Sequence, residues 1–406
     1  MLVRLMRKFY INQIMPFVNK PLVKIITGVR RCGKSTIMLM IMGELEKRGV
    51  SDSSIIRFNF DTLEWKEVTG QQVFEMIESK LVKNGRTYLF LDEIQEIESW
   101  EQIINTFMDE KKYDVDIFVA CSNSEMVSSE IFAGLAVRST IFHIYPFSFA
   151  EYLEFKKQNG EPSEPDKEFL KYVEYGGFPA VHLKPLTTDE VYDVIKDIYS
   201  ASVFNDVLKW GQFRKVDQLE HILRFAFDNV GNTFSANYIK NFLKYQNRTI
   251  DVETVYSYLS KFESAYVLNR CLRLDIQKGE ILKTQSKFYL ADVALRHALL
   301  GYKKDDVPQL VENIVYLELR RCGYNVYSGK LDSHEIDFVA EKQGEIIYFQ
   351  IAYLPFEIRK KERVFDNLLK IGDKSPKVLI SKADVDFTQR GISYLNIKDF
   401  LLHRNF

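Results

Sequence analysis

Cysteine is scarce in this chain, and long apolar runs are missing. The four cysteines, Cys32, Cys121, Cys271 and Cys322, form no C-x-x-C pair in 406 residues, which excludes a disulfide framework and favours a reducing compartment. No apolar run approaches the ~18 residues of a membrane-spanning helix, and cations interrupt the opening MLVRLMRKFY. We therefore expect a cytoplasmic protein without membrane contact.

An excess of either charge is also absent. The 55 lysines and arginines nearly cancel the 56 aspartates and glutamates, and a net charge of -1 gives no global attraction to nucleic acid or anionic membrane. The 6 histidines contain no i, i+4 ligand pair, which disfavours a zinc site. No G-x-S-x-G motif of a serine hydrolase occurs.

An alternation of apolar strands and helical stretches runs up to about residue 150. This pattern predicts a parallel sheet with crossover helices, and hence an α/β fold. The predicted strands are Val23–Thr27, Ile55–Phe60, Thr87–Leu91, Val115–Ala120 and Ser139–Tyr145. The chain then turns helical up to about Lys261, with short strands predicted at Tyr266–Leu274 and Lys287–Leu290. Strand-like runs return after about Pro308.

The strongest motif follows the first predicted strand. It reads Gly28-Val29-Arg30-Arg31-Cys32-Gly33-Lys34-Ser35 and matches G-x-x-x-x-G-K-[ST] in full. The glycines let backbone amides face phosphate oxygens, and the following helix adds its positive end. We expect Lys34 to reach the β- and γ-phosphates and Ser35 to bind Mg²⁺. The residues predicted to bind ATP here are Gly28, Arg30, Arg31, Cys32, Gly33, Lys34, Ser35 and Thr36.

An acid pair, Asp92 and Glu93, follows the third predicted strand, at the sheet edge where open α/β sheets bind ligands. We expect Asp92 to hold Mg²⁺ through its water shell and Glu93 to polarise the attacking water. The next strand ends at Cys121, so Asn123, with Ser122 as the alternative, is predicted to sit beside the γ-phosphate. Arg138 is either an arginine finger, acting in a neighbouring subunit, or a surface arginine.

These motifs resemble the prokaryotic AAA-type ATPases that carry a C-terminal domain of unknown function. Further segments extend the similarity along nearly the whole chain: Leu91–Gln95, Ser122–Ser124, Pro146–Tyr152, Gly176–Pro179, Leu290–Arg296, Glu312–Leu319 and Glu335–Phe338. Gly176–Pro179 is similar to a lid motif whose proline packs near adenine, so the resemblance adds Pro179 to the nucleotide site. By residue types alone this segment is equally a helix-ending turn. The family's glycine-arginine pair reads Ala136-Val137-Arg138 here, so this sequence departs from the family's pattern at the predicted finger.

The resemblance implies four domains. They are an AAA+ P-loop core at 1–155, a helical lid at 156–210, a winged-helix-like domain at 211–305 and a restriction-endonuclease-like α/β domain at 306–406. The predicted second helix of the winged helix is acidic, since Asp251, Glu253 and Glu263 outnumber Lys261, and we expect packing or protein contacts there more than DNA reading.

The C-terminal region resembles nucleases that gather a metal with a helix glutamate, a strand aspartate and E-x-K on the next strand. Glu312 and Asp337 match the first two positions, but the third reads Gln350-Ile351-Ala352. Glutamine is a weaker magnesium ligand than a carboxylate, and alanine supplies no cation. We expect a catalytically degenerate domain, unless Lys330 or Lys342 reaches the pocket.

The predicted function is Mg²⁺-dependent ATP binding and hydrolysis that drives a conformational switch or remodelling step in the C-terminal domains. The expected ligands are ATP, ADP and Mg²⁺, and the expected partners are a second copy of the chain and a DNA or protein molecule at the C-terminal domains. One alternative is a nucleotide-gated DNA-binding regulator. An active nuclease is a third hypothesis.

Overall fold

The chain divides into two compact units in a computed structural model. The structure describes residues 6–110, 112–124, 138–210, 216–353, 365–383 and 388–403, with the backbone alone at 203–205, 210 and 283–284. The first unit comprises Met1–Tyr145 together with Ser264–Tyr266, and the second comprises Pro146–Glu263 and Val267–Phe406. Within the described ranges, no helix is long and apolar enough to cross a membrane.

The first unit contains a five-stranded sheet in the order β2-β3-β4-β1-β5, and every neighbouring pair is parallel. The predicted parallel sheet is therefore confirmed. Its strands are β1 (Val23–Thr27), β2 (Ile55–Asn59), β3 (Thr87–Asp92), β4 (Val115–Cys121) and β5 (Ser139–His143). The helices of this unit are α1 (Lys8–Ile14), α2 (Lys34–Lys47), α3 (Gly70–Lys80) and α4 (Trp100–Asp109).

Burial explains why the central strands are almost wholly apolar. All residues of β1 and β3 are buried, because helices cover both faces of a parallel sheet. Apolar side chains of β2, β3 and β4 pack with those of α3 and α4 in one core cluster. The strand order brings β1, β4 and β3 side by side, so the residues that follow these strands share one edge of the sheet.

The second unit begins with helices and a hairpin. Its helices, followed from Phe149 onwards, are α5 (Phe149–Gln158), α6 (Pro165–Tyr175), α7 (Pro179–His182), α8 (Thr188–Tyr199), a π-helical stretch (Ser200–Asn205), α9 (Asp206–Trp210), α10 (Val216–Asp228), α11 (Ala236–Tyr245), α12 (Val252–Ser264), α13 (Val293–Leu300), α14 (Val307–Arg321) and α15 (Ile397–His403). The hairpin consists of β6 (Leu268–Asp275) and β7 (Glu280–Leu290).

The hairpin joins the C-terminal strands in one seven-stranded sheet, ordered β12-β11-β10-β9-β8-β6-β7. The remaining strands are β8 (Asn325–Leu331), β9 (His334–Lys342), β10 (Glu345–Ala352), β11 (Lys377–Ser381) and β12 (Ile392–Asn396). The parallel pairing of β6 with β8 makes the join, with Arg273 opposite Ser328. The finer division of this unit into lid, winged helix and endonuclease-like domain stays a prediction.

Candidate nucleotide-binding site

Two glycines shape the loop between β1 and α2. Gly28 has a φ of 145°, and a Cβ atom there would lie 2.2 Å from the carbonyl oxygen of Ile144. Gly33 has a φ of 106° and immediately precedes α2. Both positions lie where side chains are strained, so only glycine lets the loop turn tightly and present its amides to a ligand.

Lys34 lies inside this loop with only 4% of its surface exposed. Its Nζ donates to the carbonyl oxygens of Gly28 and Val29, at 3.0 and 3.4 Å, and lies 3.4 Å from Oε1 of Glu93. A buried ammonium bound to backbone carbonyls is already placed where loop amides converge. Phosphate oxygens are charged acceptors and can take over these contacts at little cost in side-chain ordering.

The other loop residues differ in burial. Arg30 forms an ion pair with Asp61, with Nη2 and Oδ2 2.5 Å apart, and Arg31 is exposed with a φ of 66°. Cys32 is fully buried, and its carbonyl accepts from Nη1 of Arg7 at 3.0 Å. Burial raises the pKa of the Cys32 thiol, so the sulfur is an uncharged packing atom. Thr36 is half-buried in the first turn of α2.

Asp92 ends β3 with 1% of its side chain exposed. Its Oδ2 accepts from Nη2 of Arg57, on β2, at 2.9 Å. Its Oδ1 is buried and has no hydrogen-bond partner among the described residues. A buried carboxylate oxygen without a partner is costly, and hard cations with their bound water favour such oxygens. With the hydroxyl of Ser35 in the first turn of α2, this donor set fits Mg²⁺.

The position of Glu93 is fixed by its backbone conformation and by two hydrogen bonds. Its φ of 55° lies in the left-handed region, its Oε2 accepts from Oγ of Ser122 at 3.0 Å, and Nε2 of Gln95 donates to the same oxygen. Burial alone would raise the pKa of Glu93, but the Lys34 ammonium and the hydrogen bonds from Gln95 and Ser122 hold the pKa below its usual value. The carboxylate is therefore ionised and able to accept a proton.

Ser122 and Asn123 lie at the carboxyl end of β4, 1% and 4% exposed. The structure thus brings the predicted polar residues of β4 next to the acid pair of β3, because the two strands are neighbours. Ser122 contacts Glu93 directly. Sequence reasoning missed the roles of Gln95 and Arg57. Arg57 is a single cation within the apolar run that forms β2, and that isolation is the signal that marks it.

A short segment from further along the chain also lies at this edge. The amide of Ser124 donates to the carbonyl oxygen of Ser264 at 2.7 Å, and the ring of Tyr266 lies 4.8 Å from that of His143, the last residue of β5. Tyr266 has a φ of 56°, which is strained for a residue with a bulky side chain. The segment Ser264–Tyr266 therefore belongs to the carboxyl edge of the first sheet, which no sequence pattern predicts.

Arg138 lies at the opposite edge of the sheet. Its carbonyl oxygen accepts from the amide of Val23, the first residue of β1, and its side chain is half exposed and paired with Asp109. Five strand residues separate it from the carboxyl edge, which is about 16 Å of chain. Arg138 therefore does not reach the loop of its own chain. The departure at Ala136 falls at 125–137, outside the described residues.

In the second unit, Gly176–Pro179 contacts the segment Leu290–Arg296. The amide of Gly177 donates to Oδ2 of Asp292 at 2.7 Å, and a Cβ atom on Gly176 would lie 1.8 Å from Oδ1 of Asp292. Two segments of the family resemblance therefore meet through one carboxylate. Pro179 begins α7, and its role in binding nucleotide stays a prediction.

Glu312 and Asp337 also lie in one cluster of the second unit, together with an unexpected lysine. Nζ of Lys287 lies 2.9 Å from Oε1 of Glu312 and 2.5 Å from Oε1 of Glu335. The hydroxyl of Tyr289 donates to Oε1 of Glu312 at 2.6 Å. Burial and the Glu312 charge raise the pKa of Asp337 to about 7. Lys287, which lies on β7, therefore supplies a cation to this pocket.

Lys330 and Lys342, the two candidates for this cation, have other partners among the described residues. Nζ of Lys330 lies 3.5 Å from Oδ2 of Asp275, and Nζ of Lys342 donates to the carbonyl oxygen of Cys322 at 2.8 Å. Lys330 lies in β8, and Lys342 is the last residue of β9. The lysine that does reach the carboxylates lies on a strand of the hairpin, which joins this sheet only through tertiary pairing.

Comparison with known proteins places the site in a family. A family model described as an AAA domain matches residues 20–153, and one described as a domain of unknown function matches residues 166–306. An uncharacterised protein of Haemophilus influenzae is 33% identical over 399 residues, which is 98% of each chain. The chain belongs to this family of AAA-type P-loop ATPases. An uncharacterised protein of Methanocaldococcus jannaschii is a more distant relative of this ATPase, 26% identical over 84% of the chain and 77% of its own length.

A solved structure also resembles this AAA-type ATPase. The Walker-type ATPase of Pyrococcus abyssi aligns with a TM-score of 0.49 and 12% identity, over 72% of this chain and 95% of its own. The AAA-domain match covers the loop, the acid pair and the tip of β4. All residues of the AAA-type site described above in the first unit, except Arg7 and the segment Ser264–Tyr266, lie within that match.

Proposed function

We propose that this AAA-type protein binds ATP with Mg²⁺ and hydrolyses it to ADP and phosphate. The observation that carries the proposal is the Glu93 carboxylate, which contacts Lys34, Gln95 and Ser122 and follows Asp92 in sequence. Oδ1 of Asp92 has no hydrogen-bond partner among the described residues. A fixed carboxylate next to a phosphate loop is the arrangement that hydrolysis requires.

In the bound complex, the amides of Gly28–Lys34 and the start of α2 would hold the phosphates. The Lys34 ammonium would exchange its backbone carbonyls for the β- and γ-phosphate oxygens. Ser35 and Asp92 would hold Mg²⁺, which draws negative charge from the same oxygens. We assign the remaining loop residues, Arg30, Arg31, Cys32 and Thr36, to this binding surface.

For hydrolysis, Glu93 would orient a water molecule and take its proton as the oxygen attacks the γ-phosphate. The bond from the γ-phosphorus to the bridging oxygen then breaks, and ADP leaves with that oxygen. The amide side chain of Asn123, at the neighbouring strand tip, is our proposed contact to the γ-phosphate. Ser122 holds Glu93 and therefore acts as a positioning residue. Arg138 would contact the nucleotide of a second copy of the chain, since its own loop is at the other edge of the sheet.

We further propose that turnover drives a switch or remodelling step in the second unit, with Pro179 in a lid and α10–α12 in a winged helix. The segment Ser264–Tyr266 supports a switch, because it contacts the tip of β4 and is continuous with α12 and β6. The C-terminal strands would form an endonuclease-like domain that is used for binding or assembly. Gln350 and Ala352 support that reading, since they replace the second acid and the lysine of the nuclease pattern. Lys287 contacts Glu312 and Glu335 and supplies a cation from a different strand.

The direct test is phosphate release by wild-type protein and by Glu93→Gln at saturating ATP and Mg²⁺. We expect the variant to bind ATP but to lose turnover by about a hundredfold or more, since a positioned general base contributes roughly 10²–10⁴ in rate. Lys34→Ala is the control that should lose ATP affinity. Equal phosphate release by wild type and Glu93→Gln would remove hydrolysis by this site.

A further inference from the structure

Helix α11 (Ala236–Tyr245) exposes aromatic side chains to solvent. Tyr238 is 60% exposed, Phe242 is 38% exposed and Tyr245 is 90% exposed. The helix contains two lysines, Lys240 and Lys244, and no acidic residue. Single exposed aromatics are ordinary, but three on one helix without any acid form a patch typical of an interaction surface.

The three rings share one side of the helix. At about 100° per residue, positions 238, 242 and 245 fall within about 60° of one another, with rises of about 6 and about 4.5 Å between them. Lys240 and Lys244 lie along the opposite border of the exposed surface, and asparagines separate the two borders. The exposed surface therefore has an aromatic border and a cationic border, about 10 Å apart.

Two of the rings are fixed from below. Phe225, which is 5% exposed, lies with its ring centroid 5.8 Å from that of Tyr238 and 4.9 Å from that of Phe242. The amide of Tyr238 also donates to the hydroxyl of Ser235, which caps the helix. Rings held in this way lose little freedom when a ligand stacks on their outer faces.

The surroundings of α11 add positive charge. A cavity of about 260 Å³ beside the helix is lined by Phe242 and Gln246 and by the cations Arg224 and Lys303. Its acid, Asp228, has a cation of its own, since Oδ1 lies 3.5 Å from Nη2 of Arg296. Neither Lys240 nor Lys244 forms an ion pair within the part of the chain that the structure describes.

We propose that this face of α11 binds single-stranded nucleic acid, with bases stacked on Tyr238, Phe242 and Tyr245 and phosphates on Lys240 and Lys244. Aromatic side chains stack on unpaired bases of any sequence, and the cations along the other border bind the backbone. The face differs from the acidic α12, whose helix bears two glutamates and one lysine and would repel phosphates. The proposal concerns a surface of the second unit and does not depend on ATP hydrolysis.

The experiment is fluorescence anisotropy of a labelled oligothymidylate of about 20 nucleotides with the full-length protein. We expect binding that weakens as salt rises, with a slope of about 0.7 per phosphate contact in the logarithmic plot. Tyr245→Ala and Tyr238→Ala should each weaken binding about tenfold, because they remove one stacking platform. Tyr245→Phe keeps the ring and should bind like wild type, and Lys244→Ala should lower the salt slope by about 0.7.

The matched control is Tyr256→Ala. Tyr256 is also exposed, at 43%, but it lies on the acidic α12. This variant should bind the oligonucleotide like wild type, and a duplex of the same length should compete weakly because its bases are paired. Phosphate release by Tyr245→Ala should equal that of wild type, which separates this surface from the nucleotide site.

Three results would overturn the proposal. The first is an absence of salt-sensitive affinity for the oligonucleotide by the folded protein at low salt. The second is equal weakening by Tyr256→Ala and Tyr245→Ala. The third is a smaller solution mass for Tyr245→Ala without a change in oligonucleotide affinity, which would make the face a contact between copies of the chain.

Discussion

At the scale of single residues, the buried carboxylate of Asp92 is stabilised by a cation at one of its two oxygens. Arg57 neutralises one carboxylate oxygen from the neighbouring strand, while the other oxygen has no partner among the described residues. Arg57 is partly exposed, and Asp92 is almost completely buried. The pair therefore stabilises the carboxylate without closing the side on which Mg²⁺ would bind.

We expect Arg57→Gln to lower the thermal midpoint of the metal-free protein. The substitution leaves a buried carboxylate without its cation, which costs about 1–2 kcal/mol once the exposure of Arg57 is discounted, and hence several degrees. Mg²⁺ with ADP should then raise the midpoint more in the variant than in wild type, because the metal supplies the missing positive charge. Differential scanning fluorimetry with and without Mg²⁺ and ADP measures both effects.

Arg86→Gln is the control for this prediction. Arg86 pairs with Asp114 at 2.7 Å, but both side chains are exposed, so its loss should shift the midpoint little. Equal shifts for the two variants, or equal stabilisation of Arg57→Gln and wild type by Mg²⁺ with ADP, would contradict a specific role for Arg57.

At the scale of elements, Asp292 connects a turn to a helix. Its Oδ1 accepts from the amide of Ala294 at 2.9 Å and so caps α13, while its Oδ2 accepts from Gly177. Burial raises the pKa of Asp292 to about 7, against the effect of both hydrogen bonds and of the Arg321 charge. The carboxyl group thus exchanges its proton near neutral pH at the junction of the Gly176–Pro179 turn and α13.

The raised pKa fixes the direction of a pH effect on stability. Between about pH 4 and pH 7 the folded protein holds a proton that the unfolded chain releases, so the contribution of Asp292 to stability falls as pH rises through this window. The thermal midpoint of wild type should therefore fall more between pH 5 and pH 8 than that of Asp292→Asn. The asparagine keeps an acceptor oxygen and cannot ionise. Thermal unfolding of both proteins at the two pH values measures the difference.

Asp189→Asn serves as the control, since Asp189 is exposed in the first turn of α8. It should show the pH dependence of wild type. If Asp292→Asn also follows wild type, the carboxyl group at this junction does not ionise in the expected range, and its capping role stands without the pH effect.

At the scale of the whole molecule, the position of Arg138 bears on assembly. The residue lies at the amino edge of the sheet, paired with Asp109, about 16 Å of strand away from the loop of its own chain. An arginine finger in this place must act on a second copy. A surface arginine in this place would have no effect on turnover.

Mixing two inactive variants tests the finger. Arg138→Ala should lose turnover by about 10³ or more, Lys34→Ala should not bind ATP, and their mixture should regain activity because one copy supplies the loop and the other the arginine. Phosphate release and solution mass with and without ATP are the measurements. Asp109→Asn, which frees Arg138, should stay active. Full turnover by Arg138→Ala would leave it a surface residue.

Local sequence by itself determined the nucleotide loop and the parallel sheet. Gly28 and Gly33 are required by backbone geometry, and a strand, a loop and a helix in that order place amides at one sheet edge whatever else folds around them. The placement of Asp92, Glu93, Asn123 and Ser122 at this edge was predictable for the same reason, since parallel strands end at the same edge.

Only the tertiary structure decided which side chains hold these groups. Arg57 reaches Asp92 because β2 pairs with β3, and Ser122 reaches Glu93 because β4 pairs with β3 on its other side. Lys287 reaches Glu312 because the β6–β7 hairpin joins the C-terminal strands in one sheet. These contacts join residues 25 to 35 positions apart. Strand order and burial select the partners, and no local periodicity encodes either of them.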